Sequence, residues 1–334
     1  MILPQLKIMF VDIPKTGSSS IKQFLFESLG KNFTITGASS PLWLNKFCPE
    51  YVTPISKLNE KGITVPANRH EPLSSRYNNI HYINDYFIFS IVRDPFTRFK
   101  SAFMEFMVNI YYDLKGNSMD HGNVLTNKFH FPDTWITLRD GDNDVLDFLY
   151  KKQSSLIFNK LRIIHAKGGF ELNNACTVPL HLWPQYYFTN LVIPNPVNIL
   201  LLSFENLNND FSNLKSEISR FSGIDVEKYE LPNVNPLSTQ VFSCLNPSAF
   251  NTIAPGMPME SIEFGPQPKA NEKFIKAYPT YQDFLPDFNK QVKELENQFL
   301  PVIEEHRWLI EQLYAEDYRR FGYAQQNIKD LPIL

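Results

Sequence analysis

Three short apolar runs punctuate the chain, and residues at helical spacing follow each of them. Leu6 to Ile13 is the first. Behind it Ile21, Phe24, Leu25, Ser28 and Leu29 recur at intervals of three and four, which predicts a helix ending near Gly30. Tyr86 to Val92 (YFIFSIV) is the second run, stopped by Arg93-Asp94-Pro95. The helix predicted after it carries Phe99, Ala102, Phe103, Phe106 and Ile110 on one face. Val197 to Phe204 (VNILLLSF) is the third, followed by Leu214, Ile218 and Phe221 at helical spacing. Apolar runs without alternation read as strands buried on both faces. Strands that each lead into a helix predict a parallel sheet covered by helices.

The stretches between are less regular. Residues 31–82, with prolines at 41, 49, 54, 66 and 72, read as short elements and loops. Residues 113–143 form a polar excursion, and Asp144 to Lys152 a short helix. Residues 232–286, rich in Pro, Asn and Ser, read as loop. From about 287 to 320 the pattern is helical again, with a break or restart at Pro301.

Composition narrows the function classes. The 334 residues are 43% hydrophobic and 20% charged, an ordinary globular balance with length enough for a sizeable core. The 28 phenylalanines predict a Phe-rich core and leave room for an aromatic-lined pocket. A net charge of −3 argues against nucleic acid as the partner, because such binders carry a basic excess. Cys48, Cys176 and Cys244 are odd in number and widely spaced, with neither a disulfide framework nor metal spacing, which fits a reducing compartment. No run of 18 apolar residues and no leader pattern is visible, so the expectation is a soluble, cytoplasmic protein without a membrane span. Asp140-Gly141-Asp142-Asn143-Asp144 begins like a calcium loop, but position six is Val145 and position twelve is Lys151. His121 and His130 have no partners at ligand spacing, and no metal is expected.

The chemistry concentrates at two places. Pro14-Lys15-Thr16-Gly17-Ser18-Ser19-Ser20 joins the first strand to the first helix. Backbone N–H groups at a helix start attract phosphate or sulfate oxygens, and serine hydroxyls add donors. Lys15 precedes Gly17, so this is not the nucleoside-triphosphate loop, in which lysine follows the last glycine. An ordinary strand–turn–helix unit is the plainer alternative. The second place is Arg93, at the carboxyl end of the second strand, where open α/β sheets bind ligands. Its planar fork of donors suits a phosphate, and Ser101 follows two helical turns later.

Together these segments resemble the carbohydrate-type sulfotransferase family, which includes heparan sulfate 2-O- and chondroitin 4-O-sulfotransferases. Three further stretches resemble it: Leu180-His181-Leu182-Trp183-Pro184-Gln185, Phe204-Glu205-Asn206-Leu207 with Asp210-Phe211, and Tyr314 to Tyr323 with its Phe321-Gly322-Tyr323 ending. The resemblance implies a P-loop-like sulfotransferase fold and the donor 3′-phosphoadenosine 5′-phosphosulfate (PAPS), leaving PAP as product. It implies that Lys15, Thr16, Gly17, Ser18, Ser19 and Ser20 contact the 5′ side of the donor, and Arg93 and Ser101 its 3′-phosphate. The expected organisation is a single domain over 1–334. Its nucleotide-binding core covers about 6–112 and 195–240, acceptor-side insertions about 113–194 and 241–286, and C-terminal helices about 287–323. Golgi relatives carry an N-terminal anchor and disulfides, and neither is evident here.

Sulfuryl transfer needs a cation for the departing phosphate and a base for the acceptor. Lys15 is the expected cation. His70, in Asn68-Arg69-His70-Glu71-Pro72, is the expected base, as the family places its histidine before the second nucleotide strand. Glu71 is a backup base or an orienting partner. His181 is a second candidate, as base or acceptor-binding donor, and Gln185 is a candidate acceptor-binding group. The acceptor is expected to be a small molecule or a sugar. A non-catalytic nucleotide-binding scaffold and a kinase-like phosphoryl transferase remain alternatives, the latter without a convincing triphosphate loop or metal-binding acid.

Overall fold

The computed structural model describes residues 2–3, 8–28, 86–116, 149–170, 178–189, 199–232, 237–238, 241–242 and 272–323. Contacts group the chain into two units. The first comprises Met1–Arg93, Gln185–Pro236 and Phe250–Pro266, and the second Asp94–Pro184, Leu237–Ala249 and Gln267–Leu334.

The first unit is built on a sheet. Strands β1 (Ile2–Leu3), β2 (Ile8–Val11), β3 (Phe87–Val92) and β4 (Ile199–Ser203) lie side by side in that order. β2, β3 and β4 run parallel, and the short β1, which no apolar run announced, pairs antiparallel with β2. Every residue of β2 and β3 is buried, as uninterrupted apolar runs require. Ser90 is the polar exception, and its hydroxyl donates to the Val11 carbonyl across the ladder at 2.9 Å. Helix α1 (Ser18–Ser28) buries the predicted Ile21, Phe24 and Leu25. Phe24 meets Phe211 edge-on, with centroids 4.8 Å apart. In the second unit, helix α2 (Pro95–Gly116) buries all five predicted positions from Phe99 to Ile110.

The register fixes where chemistry can sit. Val11 faces Ser90, and Val92 faces Ser203, so β2, β3 and β4 end at one edge of the sheet. The residues leaving that edge are the Asp12–Gly17 turn, Arg93 and Phe204.

The other described elements of the second unit are helical. A π-helical turn (Leu149–Ser154) runs into α3 (Ser155–Ala166), a helix absent from the periodicity reading. A 3-10 turn covers Leu180–Leu182. Returning to the first unit, α4 (Tyr186–Thr189) precedes β4. A further 3-10 turn (Phe204–Asn206) opens into α5 (Leu207–Ser222), which buries Leu207, Phe211, Leu214 and Ile218 and packs on β2 and β4. The sheet is thus covered by α1 and α5. The second unit closes with α6 (Glu272–Ala277), α7 (Tyr281–Glu305), α8 (Arg307–Leu313) and α9 (Ala315–Phe321).

Helix α7 departs from the sequence reading. It starts earlier, at a capping box in which Thr280 and Asp283 satisfy each other's backbone N–H. It also passes through Pro286 and Pro301 without ending. Both prolines and both residues four positions earlier, Gln282 and Asn297, are exposed, so α7 carries its prolines on a solvent-facing side. The interruptions fall instead at His306 and Tyr314. The second unit's core is as Phe-rich as composition predicts: Phe103 contacts Phe158 and Phe299, and Phe284 sits among Tyr112, Phe242, Phe274 and Phe288.

Candidate active site at the carboxyl edge of the sheet

The turn after β2 is strained where a ligand cradle would be. Lys15 has φ 68° and Gly17 φ 82°. Glycine accepts that region freely, whereas a lysine there costs roughly 1–2 kcal/mol. Two contacts hold the turn. Thr16 is wholly buried, and its hydroxyl donates to the Ile13 carbonyl at 2.9 Å. The Gly17 carbonyl receives the Ile21 N–H at 3.3 Å, the opening bond of α1. The N–H groups of Ser18, Ser19 and Ser20 therefore precede the helical ladder, as in any first turn. Gly17 also lies flat on Phe204: a Cβ there would come within 3.1 Å of the ring.

Asp12, the acid beside the turn, is neutralised from behind. Lys22 Nζ donates to its Oδ2 at 2.8 Å, and both side chains are almost fully buried. The pair ties α1 to the end of β2.

Arg93 reaches the same turn from β3. Its Nη1 donates to the Lys15 carbonyl at 3.2 Å, and its guanidinium lies over the Phe204 ring, 4.6 Å from the centroid. Its backbone is held by Gln185. The Arg93 N–H donates to Gln185 Oε1 at 2.9 Å, and Gln185 Nε2 donates to the Arg93 carbonyl at 2.7 Å. Gln185 is wholly buried, so its amide is engaged with the strand end. Lys15, Arg93 and the helix start thus bring cations and N–H donors to one turn, a donor set that fits an oxyanion.

Several predicted residues fall in the second unit. Ser101 is half-buried on α2. Asp94 caps α2, accepting the Thr97 N–H on Oδ1 at 2.8 Å, and Pro95 takes the first helical position. His181 is half-buried, with Nδ1 2.8 Å from Glu105 Oε2. Two neighbours hold the chain around it. Arg98, wholly buried, donates from Nη1 to the His181 carbonyl at 3.1 Å and from Nη2 to the Trp183 carbonyl. The Tyr314 hydroxyl donates to the Leu182 carbonyl. Burial raises the Tyr314 phenol far above its usual range, against the pull of Arg98.

Sequence reasoning overlooked Glu105, Phe204, Lys22 and the anchoring roles of Arg98 and Tyr314. All except Lys22 find their partners far along the chain, where spacing carries no signal. Lys22 stands within a turn and a half of helix from Asp12's strand end, and opposite charges there were a readable cue. His70 and Glu71 lie outside the described residues, as do the three cysteines, His121, His130 and residues 140–144. Among the described residues no cluster of His, Cys, Asp and Glu could hold a metal ion, and no helix is long and apolar enough to cross a membrane.

Comparison with known proteins gives one family match. The profile of the Sulfotransferase family matches residues 1–233, which takes in the Lys15 turn, Arg93 and Gln185. No curated protein and no solved structure matches the chain significantly. The family implies a P-loop-like α/β fold, and the helix-flanked parallel sheet agrees with it. With 233 of its 334 residues under that profile, the chain belongs to the sulfotransferase family, as an enzyme that transfers sulfuryl groups.

Proposed function

We propose that this sulfotransferase takes its sulfuryl group from PAPS and delivers it in line to a hydroxyl or amine of a small-molecule or sugar acceptor in the cytoplasm. The observation that carries the reading is the junction of Lys15, Arg93 and the start of α1 at one sheet edge, held by the Arg93–Lys15 hydrogen bond. Bound there, PAPS supplies an SO3 group already activated on a phosphate leaving group.

The chain's own residues do the rest. The N–H groups and hydroxyls of Ser18, Ser19 and Ser20, with Lys15, Thr16 and Gly17, receive the 5′ side. Arg93 and Ser101 receive the 3′-phosphate. Lys15 offsets the charge that gathers on the departing phosphate oxygen as its bond to sulfur breaks. His70, with Glu71 beside it, takes the proton from the acceptor atom that forms the new bond to sulfur. A second reading gives the base role to His181, favoured by the Glu105 carboxylate 2.8 Å from its Nδ1, which fixes the ring. No metal takes part in this scheme.

Thermal-shift titration with PAP tests the reading. A ligand that binds only the folded state at about a hundred times its Kd adds about 2.7 kcal/mol of stability. PAP is expected to raise Tm clearly, and magnesium ATP, which lacks the 3′-phosphate, to do much less. Equal responses to the two would overturn it.

A further inference from the structure

We infer that Gln185 is a positioning residue, setting Arg93 for anion binding through the backbone of Arg93 and touching no acceptor. The inference rests on the proposal that the Lys15 turn and Arg93 bind the donor nucleotide.

The ladder between β3 and β4 ends at Val92 and Ser203. Arg93 is the next residue, so its peptide groups lie past the last strand pair, in a part-buried setting where an unpaired N–H or C=O is costly. Gln185 pairs with both, accepting from the N–H at 2.9 Å and donating to the carbonyl at 2.7 Å. A side-chain amide has the donor and acceptor pattern of a peptide, so Gln185 acts as one extra residue of neighbouring strand. It fixes the direction in which the Arg93 side chain leaves the sheet. The guanidinium then settles between two fixed objects, the Lys15 carbonyl and the Phe204 ring. Phe204 is itself in contact with Gly17, so one ring supports both the turn and the arginine. With its amide turned to the strand end and no exposed surface, Gln185 has no face to offer an acceptor.

The test substitutes Gln185→Met, which keeps length and volume and removes both hydrogen bonds. PAP binding is measured by calorimetry in the wild type, Gln185→Met, Arg93→Ala and the double variant. Gln185→Met is expected to weaken PAP about tenfold when Arg93 is present and less than about twofold when it is absent, because coupled residues are not additive. A general loss of structure would weaken both backgrounds alike, and that result overturns the inference. So does unchanged PAP affinity in Gln185→Met. Amide hydrogen exchange provides a second readout that needs no nucleotide. Arg93 N–H protection is expected to fall at least about tenfold in Gln185→Met, with neighbouring β3 amides unaffected. If wild-type protein fails to bind PAP, the functional reading falls, and unchanged Arg93 exchange then sinks the positioning role separately. Should Gln185→Met fold poorly, Phe204→Leu provides the second variant: it is expected to weaken PAP severalfold while leaving Arg93 N–H exchange unchanged. Full PAP affinity in Phe204→Leu would count against the arrangement.

Discussion

Arg93 and Arg98 stand five residues apart in one motif, one at the end of the sheet unit and the other in the helical unit. Arg93 is half-buried, stacked on Phe204 and touching the Lys15 turn by one hydrogen bond. Arg98 has no exposed surface, and its guanidinium grips two main-chain carbonyls, those of His181 and Trp183. The same side chain thus serves a cradle in one unit and a brace in the other. Residue type alone did not separate the two roles; burial and partners did. The segment Arg93-Asp94-Pro95-Phe96-Thr97-Arg98 is therefore composite: an arginine set on the Lys15 turn, a helix cap at Asp94, a helix start at Pro95 and an internal brace at Arg98.

The contrast can be broken most forcefully at Arg98. Arg98→Met leaves buried carbonyls without donors and is expected to cost about 3–5 kcal/mol of stability, read as a lowered midpoint in urea unfolding. Lys15→Ala is expected to lower turnover of labelled PAPS by at least about a hundredfold, near 2.7 kcal/mol of transition-state stabilisation, with Tm little changed. Arg93→Ala should weaken PAP about tenfold or more and shift the unfolding midpoint by less than Arg98→Met does. If Arg93→Ala unfolds the protein while Arg98→Met merely loses nucleotide, the two roles have been assigned the wrong way round.

The smallest effect is alkaline. Burial, reinforced by a hydrogen bond to Asp287, pushes the Tyr278 phenol up to about 12, and burial raises Tyr112 and Tyr314 further. An unfolded tyrosine ionises near 10. The unfolded chain therefore loses its protons first, and the stability these phenols contribute is intact below pH ~10 and declines as pH rises toward ~12. Tm should drop across that window, and Tyr278→Phe should make the drop shallower. An unchanged slope in Tyr278→Phe would count against a role for that phenol.

Much of the sheet unit was legible because buried parallel strands are written as continuous apolar runs. The observed β2, β3 and β4 lie inside the three predicted runs, but the third departs from its reading: β4, at the end of the described sheet, is buried only at Leu202, and Leu201 is exposed. The Lys15 turn was legible as a turn because glycine and serines between an apolar run and a helical pattern mark a strand-to-helix junction. Helix α3 escaped because Gln153-Ser154-Ser155 interrupts the apolar spacing and a π-helical turn shifts its phase. The prolines misled because α7 continues through both of them, at exposed positions on its outer side. Gln185 looked like a ligand-facing polar residue in sequence; only its two bonds to Arg93 reveal a role in the backbone. Such pairings join positions 92 residues apart, and no local pattern encodes them.

The Asp12–Lys22 pair decides which guests the turn can admit. A bare carboxylate at the end of β2 would make this pocket a host for cations and repel the oxyanions its lysine and arginine invite. Lys22, one turn inside α1 and buried, neutralises that acid. The charge of the turn is thus set partly by a residue of the helix that follows it.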